Sequence, residues 1–167
     1  FESRGISHET LIKYTKQIHF IRNGKKIYGI GWQNISGGYE VKNAGIKGSK
    51  IGVSDITIIN EDKDTTLVME GMCDLLSMVE ILKEKHRNPD DYCLICLNST
   101  SNTEKFIAGK KETGKPMYLI LDGDPAGDIA TEKIIKSFPN AIDVRKKFNI
   151  FLDGFNDLND YWKSIML

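Results

Sequence analysis

The chain has 167 residues, of which 40% are hydrophobic and 28% are charged, and its formal net charge is zero. This length favours one domain, or one domain with a small subdomain, and can bury a core without disulfides or a structural metal. No apolar run approaches the roughly 18 residues of a membrane-spanning helix, and the polar start "FESRGISHET" is unlike a signal peptide. We therefore expect a globular protein with no membrane partner, and the missing initiator Met suggests a piece of a longer chain.

The first third of the chain predicts a helix followed by a glycine-rich β unit. Residues 6–19 suggest a short helix with Ser7 as its N-cap. The Asn-Gly and Gly-Gly pairs that follow are typical of hairpins in a small antiparallel unit. Because the charged run 61–64 resembles a boundary, we predict a β-rich subdomain over residues 1–60 and a second domain over residues 61–167.

After this boundary, short apolar strands alternate with helices. The strands are "TTLVME", "YCLICLN", "PMYLILD" and "AIDVR", and the helices are "CDLLSMVEILKEK", a weaker one in "STSNTEKFIAGKKETGK", "PAGDIATEKIIKSF" and a short one in "NDLNDYWKSIML". Fully apolar strands in this alternation predict βαβ units and a mostly parallel sheet with helices on both faces. The expected fold class is therefore α/β, preceded by the small β-rich subdomain.

The three cysteines lack the spacing of a disulfide framework. This pattern indicates a reducing compartment, and we expect a cytoplasmic protein. Cys93 and Cys96 form a CxxC, but they lie inside the apolar run "YCLICL", and no second CxxC or His pair completes a zinc site. We interpret them as buried core thiols.

Acidic side chains follow two of the predicted strands, at the edge where parallel sheets bind ligands. Glu70 ends the first strand and Asp122 ends the third, Asp124 follows two residues later, and Asp74 lies in the first turn of a helix. Two carboxylates about 4–5 Å apart repel by roughly 3–4 kcal/mol at an effective dielectric near 20. A bound cation, a proton on one carboxyl, or side chains that point apart would relieve this repulsion. Several carboxylates together favour a hard divalent cation, most simply Mg2+.

Two of these acids also have a structural interpretation. Asp124 before Pro125 is a good helix N-cap, and Asp74 is an acid that a helix dipole favours. Glu70 has no evident role as a helix cap. The metal hypothesis therefore depends on Glu70 and Asp122 lying at equivalent ends of two strands. A calcium EF-hand loop from Asp122 would lack ligands at its fifth and twelfth positions. A haloacid-dehalogenase-type phosphatase stays an alternative, although that family places its Asp-x-Asp on the first strand.

The motifs "EGMCD" and "LDGDPAG" resemble the Toprim domain of primases, topoisomerases, RecR-like repair proteins and some nucleases. The hallmarks of this domain are a Glu after the first strand and an Asp-x-Asp after the third, which are the places of Glu70, Asp122 and Asp124. Within this group the chain looks most similar to the catalytic core of bacterial DnaG-type DNA primase. "DGDPAGDIA", "RGISHETLIKY" and "GKKIYGIGWQNISGGYEVKN" carry that further resemblance.

The resemblance implies metal-dependent nucleotidyl transfer that makes RNA primers on single-stranded DNA from ribonucleoside triphosphates, with Mg2+ or Mn2+. The implied catalytic residues are Glu70, Asp122 and Asp124, the implied metal ligands are these three and Asp74, and Arg4 and Lys42 are candidates for nucleic-acid or nucleotide contacts. Glu70 is either a metal ligand or the base that activates the attacking hydroxyl. A replicative helicase is an implied partner, through regions outside this chain. Another Toprim phosphotransfer enzyme (a nuclease or topoisomerase) and a non-catalytic nucleic-acid-binding module stay as alternatives.

The chain departs from the primase pattern in two places. Gln33 stands where an Arg is usual, and the downstream acidic pair reads Asp157 and Asn159, which loses one carboxylate. Both departures leave the details of nucleotide binding open.

Charge is divided unevenly along the chain. Residues 1–60 contain nine Lys and Arg against four Asp and Glu, a net of +5, and residues 61–167 carry a net of −5. Ordinary surface variation produces such a split. A basic wall facing an acidic floor, with a polyanion between them, would also produce it.

Overall fold

Two β-sheets organise the chain, one antiparallel and one mostly parallel. The computed structural model describes residues 1–43, 46–109, 114–151 and 154–166. The first sheet contains β1 Lys16–Arg22, β2 Lys25–Gln33, β3 Tyr39–Asn43 and β4 Ile46–Ile51. The second sheet contains β5 Thr57–Ile59, β6 Thr65–Met69, β7 Tyr92–Cys96, β8 Met117–Ile120 and β9 Ala141–Asp143. The helices are α1 His8–Tyr14, α2 Met72–Glu84, α3 Thr103–Gly109, α4 Pro125–Ser137 and α5 Leu158–Met166. The predicted α/β class is confirmed.

The first sheet is an antiparallel meander in the order β1-β2-β3-β4. Its first hairpin turns at Asn23 and Gly24, which both have left-handed φ angles, 51° and 73°. Two consecutive left-handed residues are typical of the tight turn whose twist matches that of a hairpin, and Asn-Gly is its preferred sequence. The hairpin predicted from this pair is therefore confirmed.

The helix predicted over residues 6–19 is shorter in the structure. Ser7 caps α1 as expected, since its side chain accepts a hydrogen bond from the Thr10 amide at 3.3 Å. The helix ends at Tyr14, and the following residues form β1, paired with β2 from Lys16 to Arg22. The pairing with β2 over seven residues overrides the helical propensity of this segment.

The second sheet has the order β5-β7-β6-β8-β9. β6 is parallel to β7 and β8, β8 is parallel to β9, and β5 adds an antiparallel edge. The sequence did not predict β5, which is only three residues long and lies before the charged run. The division of the chain near residue 60 stays a prediction.

Helices cover both faces of the second sheet, so its strands are buried on both sides. One face packs against α1, α2 and α5 through a core that includes Leu67, Met69 and Leu75. The other face packs against α3 and α4 through a core that includes Val68 and Phe106. Neighbouring residues of β6 thus point to opposite cores, as expected for a central strand with a side-chain period of two.

The three cysteines are free and buried, which confirms the prediction of core thiols. In the described ranges, none of the helices has the length and apolar character needed to cross a membrane.

The start of the chain is fastened to α2 and α5 by hydrogen bonds around Asn159. This side chain is fully buried, and its amide group donates to the Arg4 carbonyl and to Ser77 Oγ, both at 2.9 Å. Its carbonyl oxygen accepts from Arg4 Nη1 at 2.8 Å. Trp162 Nε1 donates to the Gly5 carbonyl at 2.7 Å. We call these contacts the N-terminal clasp.

Asn159→Asp should destabilise the fold, because the new carboxylate oxygen would face the Arg4 carbonyl with no hydrogen to donate. We expect a loss of about 2–4 kcal/mol in urea unfolding, since a buried charged group costs more than an unsatisfied neutral one. Asn88→Asp is the matched control. Asn88 accepts from the Asp90 amide at the start of a short 3-10 turn, a position where Asp caps equally well, so its effect should stay within about 0.5 kcal/mol. Equal stability of the two variants would contradict the role given to the clasp.

Candidate functional site

The register of the second sheet brings the predicted acidic residues to one edge. Met69 of β6 lies opposite Ile120 of β8, so the chain leaves both strands at the same level. Glu70 follows directly after β6, and Asp122 follows two residues after the end of β8. The carboxyl ends of parallel strands are where sheets of this kind bind ligands.

Asp122 lies inside the field of four other carboxylates. Burial is the largest cause that raises its pKa to about 8, and the negative charges of Asp74, Glu70, Asp157 and Asp124 raise it further. An ordinary Asp has a pKa near 3.8. The charges of the four acids named from the sequence act on one another, and Asp157 joins them. We call these five carboxylates the acidic edge.

Asp74 is a buried member of the acidic edge, although it lies in the first turn of α2. Asp74 is 5% exposed. Its pKa is raised to about 7, mainly by burial and then by the charge of Asp157. The backbone amide of Asn159 donates to Asp74 Oδ1 at 3.2 Å and opposes the rise in pKa, as does the charge of Lys42. Asp74 therefore faces the other carboxylates and not the solvent beside a helix start.

Glu70 has a buried oxygen with no hydrogen-bond partner among the described residues, namely Oε2. Burial first, then the charges of Asp124 and Asp157, raises the pKa of this carboxyl, while the amides of Asp122 and Thr100 oppose the rise. A buried acceptor without a donor is costly in free energy. A cation or a proton at this oxygen would remove that cost.

Asp124 combines the structural interpretation with a place in the acidic edge. Its Oδ1 accepts a hydrogen bond from the Gly127 amide at 2.8 Å and caps α4, with Pro125 in the first turn. The predicted N-cap is thus present. A carboxylate has two oxygens, so capping through Oδ1 is compatible with a second role for Oδ2.

The spacing of "DGDPAG" follows from close backbone packing around the 122–124 turn. A Cβ atom on Gly123 would lie 2.8 Å from the Phe151 amide nitrogen, and one on Gly127 would collide with the Asp122 carbonyl. The Gly123 amide also donates to the Asn156 carbonyl at 2.7 Å. Glycine at both positions therefore lets the turn sit between α4 and the backbone of Phe151 and Asn156.

Asp157 is also a member of the acidic edge, although its sequence motif marks it only as half of the departing acidic pair. It raises the pKa values of Glu70, Asp74 and Asp122. Its own Oδ1 accepts from the Asp160 amide at 2.7 Å, at the start of α5. An Asp just before a short amphipathic helix is an ordinary cap signal, so only the tertiary fold reveals its neighbours. The other half of the pair, Asn159, belongs to the N-terminal clasp.

The two predicted basic residues lie at different distances from the acidic edge. Lys42 of β3 approaches Cys73 Sγ at 3.5 Å, and its charge acts on Asp74. Arg4 is linked to Asp74 through Asn159, which accepts from Arg4 with its side chain and donates to Asp74 with its backbone amide. Gln33, at the departing position, is exposed and donates to the Gly37 carbonyl at 3.2 Å.

A cavity of about 700 Å³ lies between α1 and the first sheet and reaches Lys42. Its lining includes the basic or aromatic side chains of His8, Lys16 and Tyr28 beside apolar ones such as Leu11. Lys42 connects this cavity with the acidic edge, since it lines the cavity and its charge acts on Asp74.

No group of three or more His, Cys, Asp or Glu side chains within the described ranges is already arranged to hold a metal ion. The chemistry of the acidic edge nevertheless fits a hard divalent cation, because all its donors are carboxylate oxygens. Burial and the neighbouring carboxylates raise the pKa of Asp122, and Glu70 Oε2 has no hydrogen-bond partner among the described residues, so a cation or a proton would be stabilised at this edge.

Family models match most of the chain. A model described as Toprim-like matches residues 67–162, and one described as a domain of unknown function (DUF8464) matches residues 1–50. The first match covers more than half of the chain, so the chain belongs to the Toprim-like family. None of the curated protein sequences matches it significantly.

Two solved structures share the fold of the whole chain. The primase fragment of the bacteriophage T7 primase-helicase protein matches with a TM-score of 0.67 at 20% identity, over 99% of this chain and 71% of that one. The second structure is of bacteriophage T7 lagging-strand DNA polymerase with primase domains of two gp4 subunits bound to an RNA/DNA hybrid and dTTP. It matches with a TM-score of 0.65 at 20% identity, over 99% of this chain and 87% of that one. At this identity the likeness establishes the fold.

Asp122→Asn should stabilise the metal-free fold, in a way that depends on pH. A folded-state pKa raised from 3.8 to about 8 means that the wild type is most stable below about pH 4 and loses stability as the pH rises towards 8. Asn mimics the neutral carboxyl and escapes this loss. Urea unfolding in chelator should show equal stability near pH 4 and a gain of about 1 kcal/mol or more near pH 8. A large loss at both pH values would instead make Asp122 a structural residue.

Proposed function

We propose that this chain is the catalytic core of a DNA primase, which makes RNA primers on single-stranded DNA from ribonucleoside triphosphates. The observation that carries the proposal is the acidic edge of a Toprim-like sheet, together with a cavity whose lining includes Lys16 and Lys42. The sequence motifs resemble bacterial DnaG-type primases, and the matched structures contain a T7 primase fragment and primase domains bound to an RNA/DNA hybrid. We propose the primase activity common to both types. A helicase partner and a cytoplasmic location stay predictions.

The proposed metal ligands are Asp122, Asp124 and Glu70. Asp74 and Asp157 would add negative charge near these ligands. Asp124 would use the oxygen that does not cap α4, and Glu70 its unpartnered Oε2. Bound Mg2+ or Mn2+ would neutralise the charge that develops on the phosphoryl oxygens and on the leaving pyrophosphate. Because few protein ligands are involved, water would complete the coordination and binding would be weak.

Glu70 is also a candidate for the proton transfer. Primer extension requires a 3′-hydroxyl to lose its proton as it attacks the α-phosphate of a nucleoside triphosphate. The raised pKa of Glu70 brings its proton affinity closer to the working pH, which suits a general base. The carboxyl can therefore serve as ligand or as base.

Lys42 and the cavity are the proposed contact with nucleic acid. Lys42 lines the cavity and its charge also acts on Asp74, so a phosphate bound to Lys42 would approach the acidic edge. Lys16 at the cavity adds a second cation, and Tyr28 supplies an exposed aromatic ring on which a base can stack. This arrangement is a local form of the basic wall expected from the division of charge.

Primer synthesis on a single-stranded DNA template with labelled ribonucleotides tests the function. We expect products that depend on Mg2+ or Mn2+ and fall by about 100-fold or more in Asp122→Asn, the order of loss from removing a group that stabilises transition-state charge. Lys136→Glu, on the exposed side of α4, is the control and should keep wild-type activity.

The same assay separates the alternatives. Metal-dependent cleavage of the DNA without synthesis would favour a Toprim nuclease. Strand binding with neither reaction would favour a non-catalytic nucleic-acid-binding module.

Paramagnetic NMR broadening by Mn2+ that does not centre on Glu70, Asp122 and Asp124 would contradict the proposed ligands.

Template binding should weaken steeply with salt, because captured phosphates release counterions. For single strands the logarithmic slope is about −0.7 per phosphate contact. Lys16→Glu should lower the affinity and make the slope shallower by at least one contact, whereas Lys136→Glu should change neither. Fluorescence anisotropy of a labelled oligonucleotide in chelator, at several salt concentrations, measures both quantities. Lys42→Glu is a less selective variant, because the new carboxylate would join the acidic edge. A flat salt dependence of the wild type would rule out the proposed template contact.

A further inference from the structure

Arg145 is a nearly buried cation that contacts three elements around the acidic edge. It follows β9 directly after Val144, and the residue is only 8% exposed. Its guanidinium donates to both oxygens of Asp143, through Nε at 3.1 and 3.2 Å and through Nη2 at 2.9 Å. Nη1 donates to Asp128 Oδ1, in the first turn of α4, at 2.7 Å.

The same Nη1 also donates to the backbone carbonyl of Asp122 at 3.1 Å. This contact holds the first residue of the 122–124 turn from the side of β9. Gly127 approaches the same carbonyl so closely that any side chain there would collide with it. The Asp122 backbone is therefore fixed between a charged donor and the first turn of α4.

We propose that Arg145 is a positioning residue, which sets the location of the Asp122 carboxylate within the acidic edge by holding the Asp122 carbonyl. The inference rests on the proposed function, because it concerns the same carboxylate. Asp143 orients the guanidinium, because it is bound at both oxygens, whereas the more exposed Asp128 accepts from Nη1 at one oxygen. A planar, charged fork with several donors can hold three acceptors at once, which an ammonium group on a flexible stem cannot do in the same geometry.

The consequence for cation binding is large compared with the size of the contact. Removing a residue that hydrogen-bonds to a metal-ligating residue and orients it typically lowers metal affinity by about 10–100-fold. A merely structural arginine would change the stability of the fold and leave the affinity of the folded protein unchanged. The two roles are therefore separated by measuring affinity and stability on the same variants.

Arg145→Lys is the main variant, since it keeps the positive charge and loses the fork. We expect a folded protein with a cooperative urea transition, whose Mn2+ dissociation constant, measured by electron paramagnetic resonance, rises about tenfold. Asp128→Asn is the matched control. It removes the ion pair to α4 and keeps the contacts of Arg145 with Asp143 and Asp122, so its Mn2+ dissociation constant should stay within about twofold of wild type.

A second measurement is made without metal. The backbone amide resonance of Gly123, next to the held carbonyl, should shift in Arg145→Lys and stay near its wild-type position in Asp128→Asn. Wild-type Mn2+ affinity in folded Arg145→Lys, an unmoved Gly123 resonance, or an equal loss of affinity in Asp128→Asn would each overturn the proposal.

The inference and the proposed function can fail separately. If the wild type makes no primers or binds no Mn2+, the proposed function fails, and the Gly123 resonance still decides the positioning role. If Arg145→Lys does not fold, Asp143→Asn replaces it. That variant keeps the arginine and loosens the orientation of its fork, so it should shift the Gly123 resonance and raise the Mn2+ dissociation constant about threefold, less than the loss of a whole orienting residue. Unchanged values in that variant would overturn the proposal.

Discussion

The mutual repulsion of carboxylates at the end of a parallel sheet is the constraint on which the rest of this structure depends. The register that places Met69 opposite Ile120 makes the chain leave β6 and β8 side by side. The strands are buried on both faces, and a slip by one residue would turn the side chains of a strand towards the opposite core. The carboxylates that follow these strands therefore cannot move apart. Their burial, and then their mutual repulsion, raise the pKa of Asp122 to about 8 and that of Asp74 to about 7.

Several contacts of the fold are arranged around this strained edge. The backbone of the 122–124 turn packs so closely against its neighbours that positions 123 and 127 must be glycine. One carboxylate oxygen of Asp124 caps α4 by accepting a hydrogen bond from the Gly127 amide, which fixes the direction in which the chain leaves the turn. The side chain of Lys42 comes from the other sheet and opposes the negative charge at Asp74. The small antiparallel sheet thus contributes to the electrostatics of the edge as well as to its surroundings.

Local sequence patterns predicted the parts of this arrangement that depend on local physics. Apolar strands alternating with helices indicated the α/β class, the Asn-Gly pair indicated a hairpin, and Asp-Pro indicated the cap of α4. Glu70 and Asp122 could be placed at one edge because the ends of parallel strands meet there. The parts that were missed depend on contacts between distant residues. The strand pairing of β1 with β2 shortened the predicted helix, and the position of Asp157 beside Asp74 follows from the docking of α5 against α2.

The departure at Asn159 has a physical reason in the same contacts. Its amide group donates to the Arg4 carbonyl and to Ser77 Oγ, so this position needs a donor that a carboxylate does not have. Its backbone amide is also a hydrogen-bond donor to Asp74, whose pKa is already raised to about 7. A further carboxylate here would add negative charge where burial already disfavours it. With Asn at this position, the chain keeps the start of the polypeptide fastened beside the acidic edge, and Asp157 alone of the downstream pair supplies charge to it.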